Sequence, residues 1–245
     1  MTKDMNLEQY TKQYKIEIDY KYKTNTRYQR YLIKCLEKYM DASLVNSILD
    51  VGCGQGLNTV LFLDDFWQAK VTGIDLSETG ISYAKSKWSG NNRLDFMCGD
   101  ITHLQIDSHF DMVCAFELLE HIEDWEHVAE ALCKASNRYI MVSSPIGRMR
   151  EYEKMHGHYR NYQKGELEAF FNSHGYKTVK TYYAGFPFWS PITRDLLNIL
   201  PGDSRKAQEN LSVIGKVSSL ILYYLFRYCS MKSKGDQFVG LFEKE

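Results

Sequence analysis

The sequence has no cysteine pair at C-x-x-C spacing, no apolar leader in MTKDMNLEQYTKQYK, almost no net charge, and no uncharged apolar run approaching the roughly 18 residues of a membrane span. Its six cysteines (Cys35, Cys53, Cys98, Cys114, Cys133, Cys229) form no ladder of short spacings. Neither a zinc site nor a disulfide framework is indicated, and a reducing, cytoplasmic setting is expected. Secretion and membrane spanning are not expected. Thirty basic against 31 acidic residues argue against a polyanion-coating protein or a disordered acidic tail. With only 4 prolines, no internal repeat and 44% hydrophobic residues, the 245-residue chain is expected to bury one sizeable core as a single domain, 1–245.

The formal charge of −1 hides a segregation. Residues 1–47 carry +3, 48–145 carry −9 and 146–245 carry +5, and 16 of the 18 tyrosines lie in the two flanks. The middle block alternates short apolar runs with helical periodicity. Ser47 to Val51, Lys70 to Asp75, Leu94 to Cys98, Phe110 to Phe116 and Arg138 to Val142 are five strand candidates. Between them, Leu57 to Leu63 reads as a helix, Ser77 is placed as an N-cap, and Trp125, Val128, Ala131, Leu132 and Ala135 recur on one helix face. Strands alternating with helices imply a parallel, doubly wound sheet that binds ligands at the carboxyl ends of its strands. Residues 8–40 read as helical. A helix carrying Leu167, Phe170 and Phe171 is expected to stop at Gly175, and Lys177–Ala184 and Gln237–Phe242 read as strands bracketing an insertion at 186–235.

Asp50-Val51-Gly52-Cys53-Gly54-Gln55-Gly56 places glycines at alternate positions after a strand. Such a loop lets the backbone approach a ligand closely and leaves free N–H groups at the next helix start. A phosphate-binding P-loop would need Gly-Lys-Ser/Thr where the chain has Gly56-Leu57-Asn58, and the dinucleotide fingerprint would need glycine at Leu57. Asp50 beneath the loop would repel a pyrophosphate. Asp75 ends the second strand about 20 residues further on, the place and residue type for holding ribose hydroxyls. Asp100 ends the third, where a carboxylate can accept from an exocyclic amine. Three acidic strand ends suit an adenosine-containing ligand that is cationic rather than phosphorylated.

The loop, Gly73-Ile74-Asp75, Cys98-Gly99-Asp100 and Phe110 to Ile122 (FDMVCAFELLEHI) resemble, in order and spacing, the motifs of class I S-adenosylmethionine-dependent methyltransferases, and most of all the ubiquinone-biosynthesis-like small-molecule branch. The resemblance covers about 48–185. It implies an α/β, doubly wound, Rossmann-like seven-stranded sheet with its last strand antiparallel, an N-terminal helical lid (1–47), a cofactor-binding core (48–185), a helical insertion (186–235) and a final strand (236–245). It also implies S-adenosylmethionine as cofactor. Gly52, Gly54 and Gly56 would pass under its methionine portion with Asp50 in support. Asp75 would hold the ribose, Leu76 pack on the adenine, Asp100 and the Ile101 N–H read the ring, and Phe116 and Glu117 line the methionine and the reacting methyl group.

The implied reaction is methyl transfer to a small-molecule acceptor, oxygen or nitrogen foremost, with RNA or protein methylation and inactive cofactor binding as alternatives. An in-line displacement depends chiefly on positioning, and a base adds about 10²–10⁴-fold. His121, after the fourth strand, is the candidate base, titrating near neutral pH, with loop orientation as its other role. In His156-Gly157-His158-Tyr159-Arg160-Asn161-Tyr162, His158 and Arg160 are expected to meet the acceptor. The His156-x-His158 spacing could suggest a metal, but no carboxylate or cysteine completes an evident ligand set, so no metal is expected. Arg27, with Tyr20 and Tyr22, sits in the lid, either at the methionine carboxylate or in solvent. The apolar segment 211–230 reads as a helix packed on the core or on a second subunit, with membrane-surface docking or an acceptor wall as the other uses. Gly185 to Trp189 offers an aromatic wall or core packing. No nucleic acid partner is expected, and the chain is expected to be a monomer or homodimer.

Overall fold

The computed structural model describes residues 24–103, 110–199 and 212–245. Seven strands form one sheet: β1 (Ser47–Val51), β2 (Lys70–Asp75), β3 (Leu94–Cys98), β4 (Phe110–Phe116), β5 (Ser136–Pro145), β6 (Tyr176–Ala184) and β7 (Gln237–Lys244). Their order is β3-β2-β1-β4-β5-β7-β6, and β7 runs antiparallel to both neighbours. The chain reverses direction in the sheet between β1 and β4, so the loops leaving these strands diverge and open a crevice at their carboxyl ends.

Both faces of the sheet are covered, which is why the central strands are apolar throughout instead of alternating. Along β1, Ile48 packs with Val71, Met112 and Met141 on one face, while Leu49 packs with Val113, Ile140 and Val142 on the other. The first face is covered by α1 (Thr24–Glu37), whose Tyr28, Leu32 and Leu36 recur every fourth residue and are buried. The second is covered by α4 (Trp125–Ala135) and α6 (Glu166–Ser173), through Trp125, Val128, Leu132, Leu167 and Phe171. Each such side chain contributes about 1.5–3 kcal/mol when fully buried. Gly175, at φ 82°, ends α6 as expected.

One local expectation gives way. After the glycine loop the chain does not enter a regular helix at Leu57; residues 59–61 make a 3₁₀ turn and only α2 (Phe62–Asp65) is helical. Gly54 and Gly56 both have left-handed φ, which an α-helix cannot propagate. The short α3 (Glu78–Lys87) does start on Ser77, whose hydroxyl accepts from Gly80 N at 3.2 Å. In the insertion, α7 (Arg194–Ile199) precedes α8 (Val213–Cys229). α8 packs on α1 through Ser219, Tyr223 and Phe226, whereas Val213, Ile214, Val217, Ile221, Tyr224 and Tyr228 face outward. Trp189 is buried against Phe226 at 5.5 Å, so the aromatic run is core at that residue. Among the described residues no helix is long and apolar enough to cross a membrane.

Candidate functional site

The loop between β1 and β2 folds onto the neighbouring strand. Gly52 N and Cys53 N donate to Ile74 O at 2.8 and 3.1 Å. Gly52 and Gly56 have φ of 74°, and a Cβ at Gly56 would stand 2.6 Å from the Phe96 ring. At Gly52 a Cβ would stand 2.8 Å from Leu118, so the glycine loop lies directly against the loop that leaves β4. Asp50 is buried beneath it. Thr59 Oγ1 donates to its Oδ2 at 2.6 Å, and burial, with the Asp75 charge as a lesser cause, raises its pKa to about 7.

Asp75 ends β2 with its carboxylate gripped from both sides: Gly54 N donates to Oδ2 and Ser77 N to Oδ1, each at 2.8 Å. Burial nonetheless raises its pKa. The two bonds lock the side chain to the glycine loop and leave further lone pairs on both oxygens, since an ionised carboxylate accepts about four hydrogen bonds. Leu76 beside it is exposed. Asp100 follows β3; Thr102 N and Oγ1 donate to its Oδ1 at 3.0 and 2.8 Å, and His103 Nδ1 lies 3.5 Å from Oδ2. Gly99 N donates to Asp75 O at 3.0 Å, tying the two acidic strand ends together. Ile101 is buried.

Phe116 closes β4, buried against Phe62 with ring centroids 6.1 Å apart. Glu117 then takes φ 50°, the left-handed region that non-glycine residues rarely enter, and its N–H donates to Ser143 O at 3.0 Å. Its Oε1 accepts from Ser143 Oγ and from Gln237 Nε2, both at 2.9 Å, while Gln29 Nε2 donates to Ser143 Oγ at 2.9 Å. Helix α1, β5 and β7 thus meet on one carboxylate, whose pKa burial raises against these hydrogen bonds.

His121 lies three residues beyond Leu118. Its ring meets His158 edge to face, centroids 4.5 Å apart, and its Nε2 is 4.0 Å from Glu120 Oε1. Near-neutral titration of His121 is not what this environment gives. Burial first, then the neighbouring His158, lower its pKa to about 3, and burial lowers that of His158 to about 4. Both rings are neutral at physiological pH, and a conjugate acid that strong makes His121 a weak base. Arg160 Nη2 donates to Glu123 O at 2.8 Å, in the segment that follows His121.

The structure therefore gathers the glycine loop, Asp50, Asp75 and the residues leaving β3 and β4 at one edge of the sheet. It also brings in residues that sequence reasoning missed. Gln29 joins the Glu117 network, and Arg30 donates to Leu57 O and, through Nε, to Asn58 Oδ1 at 3.3 Å, fastening α1 to the glycine loop. Their signal was faint, since polar residues on a helix usually face solvent. Glu120 was passed over although it stands beside His121; it is fully buried, with Ser144 Oγ donating to Oε2 at 2.6 Å. Arg27 instead stacks on the Tyr223 ring, 4.1 Å from its centroid. Tyr20 and Tyr22 lie outside the described residues.

Residues 48–137 match the family model of a methyltransferase domain. Ubiquinone biosynthesis O-methyltransferase of Idiomarina loihiensis is 33% identical over 103 residues, which is 41% of this chain and 42% of that protein. The structure of magnesium protoporphyrin IX methyltransferase from Synechocystis PCC 6803 with bound S-adenosylhomocysteine is similar at TM-score 0.53 and 18% identity, over 67% of this chain and 81% of that one. The [4+2]-cyclase SpnF is similar at TM-score 0.59 and 17% identity, over 87% and 80%. At such identities the structural likeness is one of fold. The chain spans about half or less of the length of the curated relatives it matches.

Proposed function

We propose that this chain, whose 48–137 core belongs to the class I S-adenosylmethionine-dependent methyltransferases, transfers the methyl group of S-adenosylmethionine to an oxygen or nitrogen of a small-molecule acceptor. The observation that carries this reading is the convergence on one sheet edge of a glycine loop closed against β2, two acidic strand ends tied by a backbone bond, and the Leu118 loop lying on Gly52. These residues fit the cofactor. The closeness of Leu118 and Phe96 leaves no room for side chains at Gly52 and Gly56, and the carboxylates suit a cationic nucleoside in place of a phosphate.

The cofactor supplies a sulfonium methyl group that leaves sulfur as a neutral thioether. The chain's part is to hold and orient. Asp75, rigid between Gly54 N and Ser77 N, would accept from the ribose hydroxyls with its remaining lone pairs. Asp100 would accept from the adenine amine beside the Ile101 N–H, with Leu76 packing on the ring. Phe116 and Glu117 would line the methionine end, and His158 the acceptor side. His121, a weak base here, would leave most of the acceleration to alignment, which is worth effective molarities of roughly 10⁵–10⁸ M.

Calorimetry with S-adenosylhomocysteine tests the reading directly: one equivalent bound per chain at micromolar affinity is expected. Asp75→Ala removes charged hydrogen bonds worth about 1.5–3 kcal/mol, hence weakens binding roughly 10- to 150-fold. Absence of heat with both S-adenosylmethionine and S-adenosylhomocysteine would overturn the function, and wild-type affinity in Asp75→Ala would overturn the ribose assignment. The shared fold of a cyclase makes turnover the second test: methyl incorporation from labelled donor into some compound of a metabolite extract is expected.

A further inference from the structure

A cavity of about 620 Å³ lies between α1 and α8 and reaches Leu61 in the turn after the glycine loop. Ligand sites of small molecules occupy roughly 300–1,000 Å³, so the space is large enough to hold one. Five cationic side chains stand in its wall: Arg27, Arg30 and Lys34 from successive turns of α1, Lys38 from just beyond its end, and Arg227 from α8. No acidic residue is among the described residues that line it, and Asp65 meets Lys34 at 2.8 Å from outside the wall. The two positively charged flanks of the sequence, 1–47 and 146–245, thus converge on one space.

Two of the arginines are held by aromatic rings of the opposite helix. Arg27 of α1 lies over the Tyr223 ring, 4.1 Å from its centroid, and Arg227 of α8 over the Tyr31 ring at 4.8 Å. Arg227 Nη1 also donates to the Tyr223 hydroxyl at 3.1 Å, while its Nε is buried with no hydrogen-bond partner among the described residues. Arg30 is buried, and its bonds to Leu57 O and Asn58 Oδ1 fix it beside the glycine loop. Stacking uses the face of a guanidinium and leaves its in-plane N–H groups to donate, and a side chain already ordered loses little freedom when a ligand arrives.

We propose that this cavity is a second ligand site, which binds a small phosphate- or diphosphate-bearing molecule. Guanidinium groups match phosphate oxygens two at a time, and ammonium groups add point charge. A phosphate monoester brings a charge of about −1.5 to −2 on one compact group, where a carboxylate brings a single charge. Five cations around one space repel one another, and an anion of that charge relieves the repulsion. Leu61 and Leu220 give the rest of the molecule an apolar surface to lie on. The cofactor edge has the opposite character, with carboxylates at Asp50, Asp75 and Asp100. Gln29, one residue before Arg30, reaches Ser143 of the Glu117 network, so α1 borders both places. The second site does not depend on methyl transfer.

Calorimetric titration of the full chain with inorganic pyrophosphate at about 0.15 M salt is the test. One equivalent per chain is expected, weakened about 10-fold in Arg227→Gln and about 3-fold in Lys38→Gln. Affinity is expected to be unchanged in Lys154→Gln, whose ammonium pairs with Glu151 on α5 (Glu151–Met155) and takes no part in the wall. Circular dichroism checks that each variant is folded, and where Arg227→Gln fails to fold, Lys38→Gln decides. No heat with the wild type, or wild-type affinity in the folded variants, overturns the site. Binding seen only at about 0.01 M salt does the same, because it reports diffuse surface charge. Sedimentation with phosphatidic acid vesicles tells the sources of phosphate apart: vesicle binding abolished by pyrophosphate assigns it to a lipid headgroup, and no vesicle binding assigns it to a soluble molecule. Competitive displacement of pyrophosphate by S-adenosylhomocysteine would put the anion in the cofactor site and refute a second one. Pyrophosphate bound by a chain that takes no S-adenosylhomocysteine supports the cavity and refutes only the methyltransferase reading.

Discussion

Asp50 makes the chain's stability depend on pH in a calculable way. It is 2% exposed, supported by the Thr59 hydroxyl at 2.6 Å, and its pKa rises from 3.8 to about 7. A carboxyl whose folded pKa lies above its unfolded value stabilises the fold fully below the unfolded value, and that contribution is lost as pH rises through the folded one. A shift of about 3 units corresponds to roughly 4 kcal/mol in total, of which about 2 kcal/mol is lost between pH 5 and pH 7. Glu37, also raised to about 7 by burial, adds a slope of the same sign, so the variant must isolate Asp50. Asp50→Asn keeps an acceptor for Thr59 and removes the titration. Urea unfolding of both proteins at pH 5 and pH 7 should show the wild type losing about 2 kcal/mol more than Asp50→Asn across that interval. A difference under about 0.5 kcal/mol would mean that Asp50 ionises in the fold as it does in water, and the burial argument would fail.

Further outcomes follow from individual contacts. Gly56→Ala forces a Cβ to within 2.6 Å of Phe96 at φ 74°, and should cost about 1–3 kcal/mol in urea unfolding together with weakened S-adenosylhomocysteine binding; an unchanged midpoint would show that the loop relaxes freely. Glu153→Ala strips the buried Arg194 guanidinium of its main partner, leaving Asp236 Oδ2 at 3.5 Å, and should cost about 3–5 kcal/mol. Thermal unfolding measures that loss, and a shift of only a degree or two would mean that Asp236 takes over the charge. Ser77→Ala should cost about 1 kcal/mol by uncapping α3, and a neutral result would mean that Gly80 N finds water instead.

The strands of the core were legible because parallel strands buried on both faces are apolar at every position, and Ser77 because a cap is a local signal. The count of seven strands and the antiparallel last one came from the family resemblance, and the order of the sheet was not legible, since pairing partners 60 to 100 residues apart leave no local trace. What escaped is what depends on return of the chain. Glu120 and His121 stand beside His158, whose segment is tied to them by Tyr159 N donating to Glu120 O, and no short window of sequence holds that closeness. Burial of His121 is likewise a property of its packed surroundings, so its low pKa was invisible from residue type. The helix at 213–229 was legible as a helix that packs on the core, but not which face it buries: its most apolar stripe faces outward, and the stripe it buries includes Ser219 and Tyr223.

The position of β7 has a consequence for how the chain becomes itself. β6 pairs within the sheet only with β7, and β7 is what separates it from β5, so both β5 and β6 present open edges until residues 237–244 arrive. About 60 residues separate the end of β6 from the end of β7. At about 5–20 residues per second of synthesis, the nascent chain carries two unpaired edges for roughly 3–12 s. Exposed edges invite pairing with other chains, so the yield of folded protein in a cell should track chaperone supply during that interval more than the stability of the finished sheet.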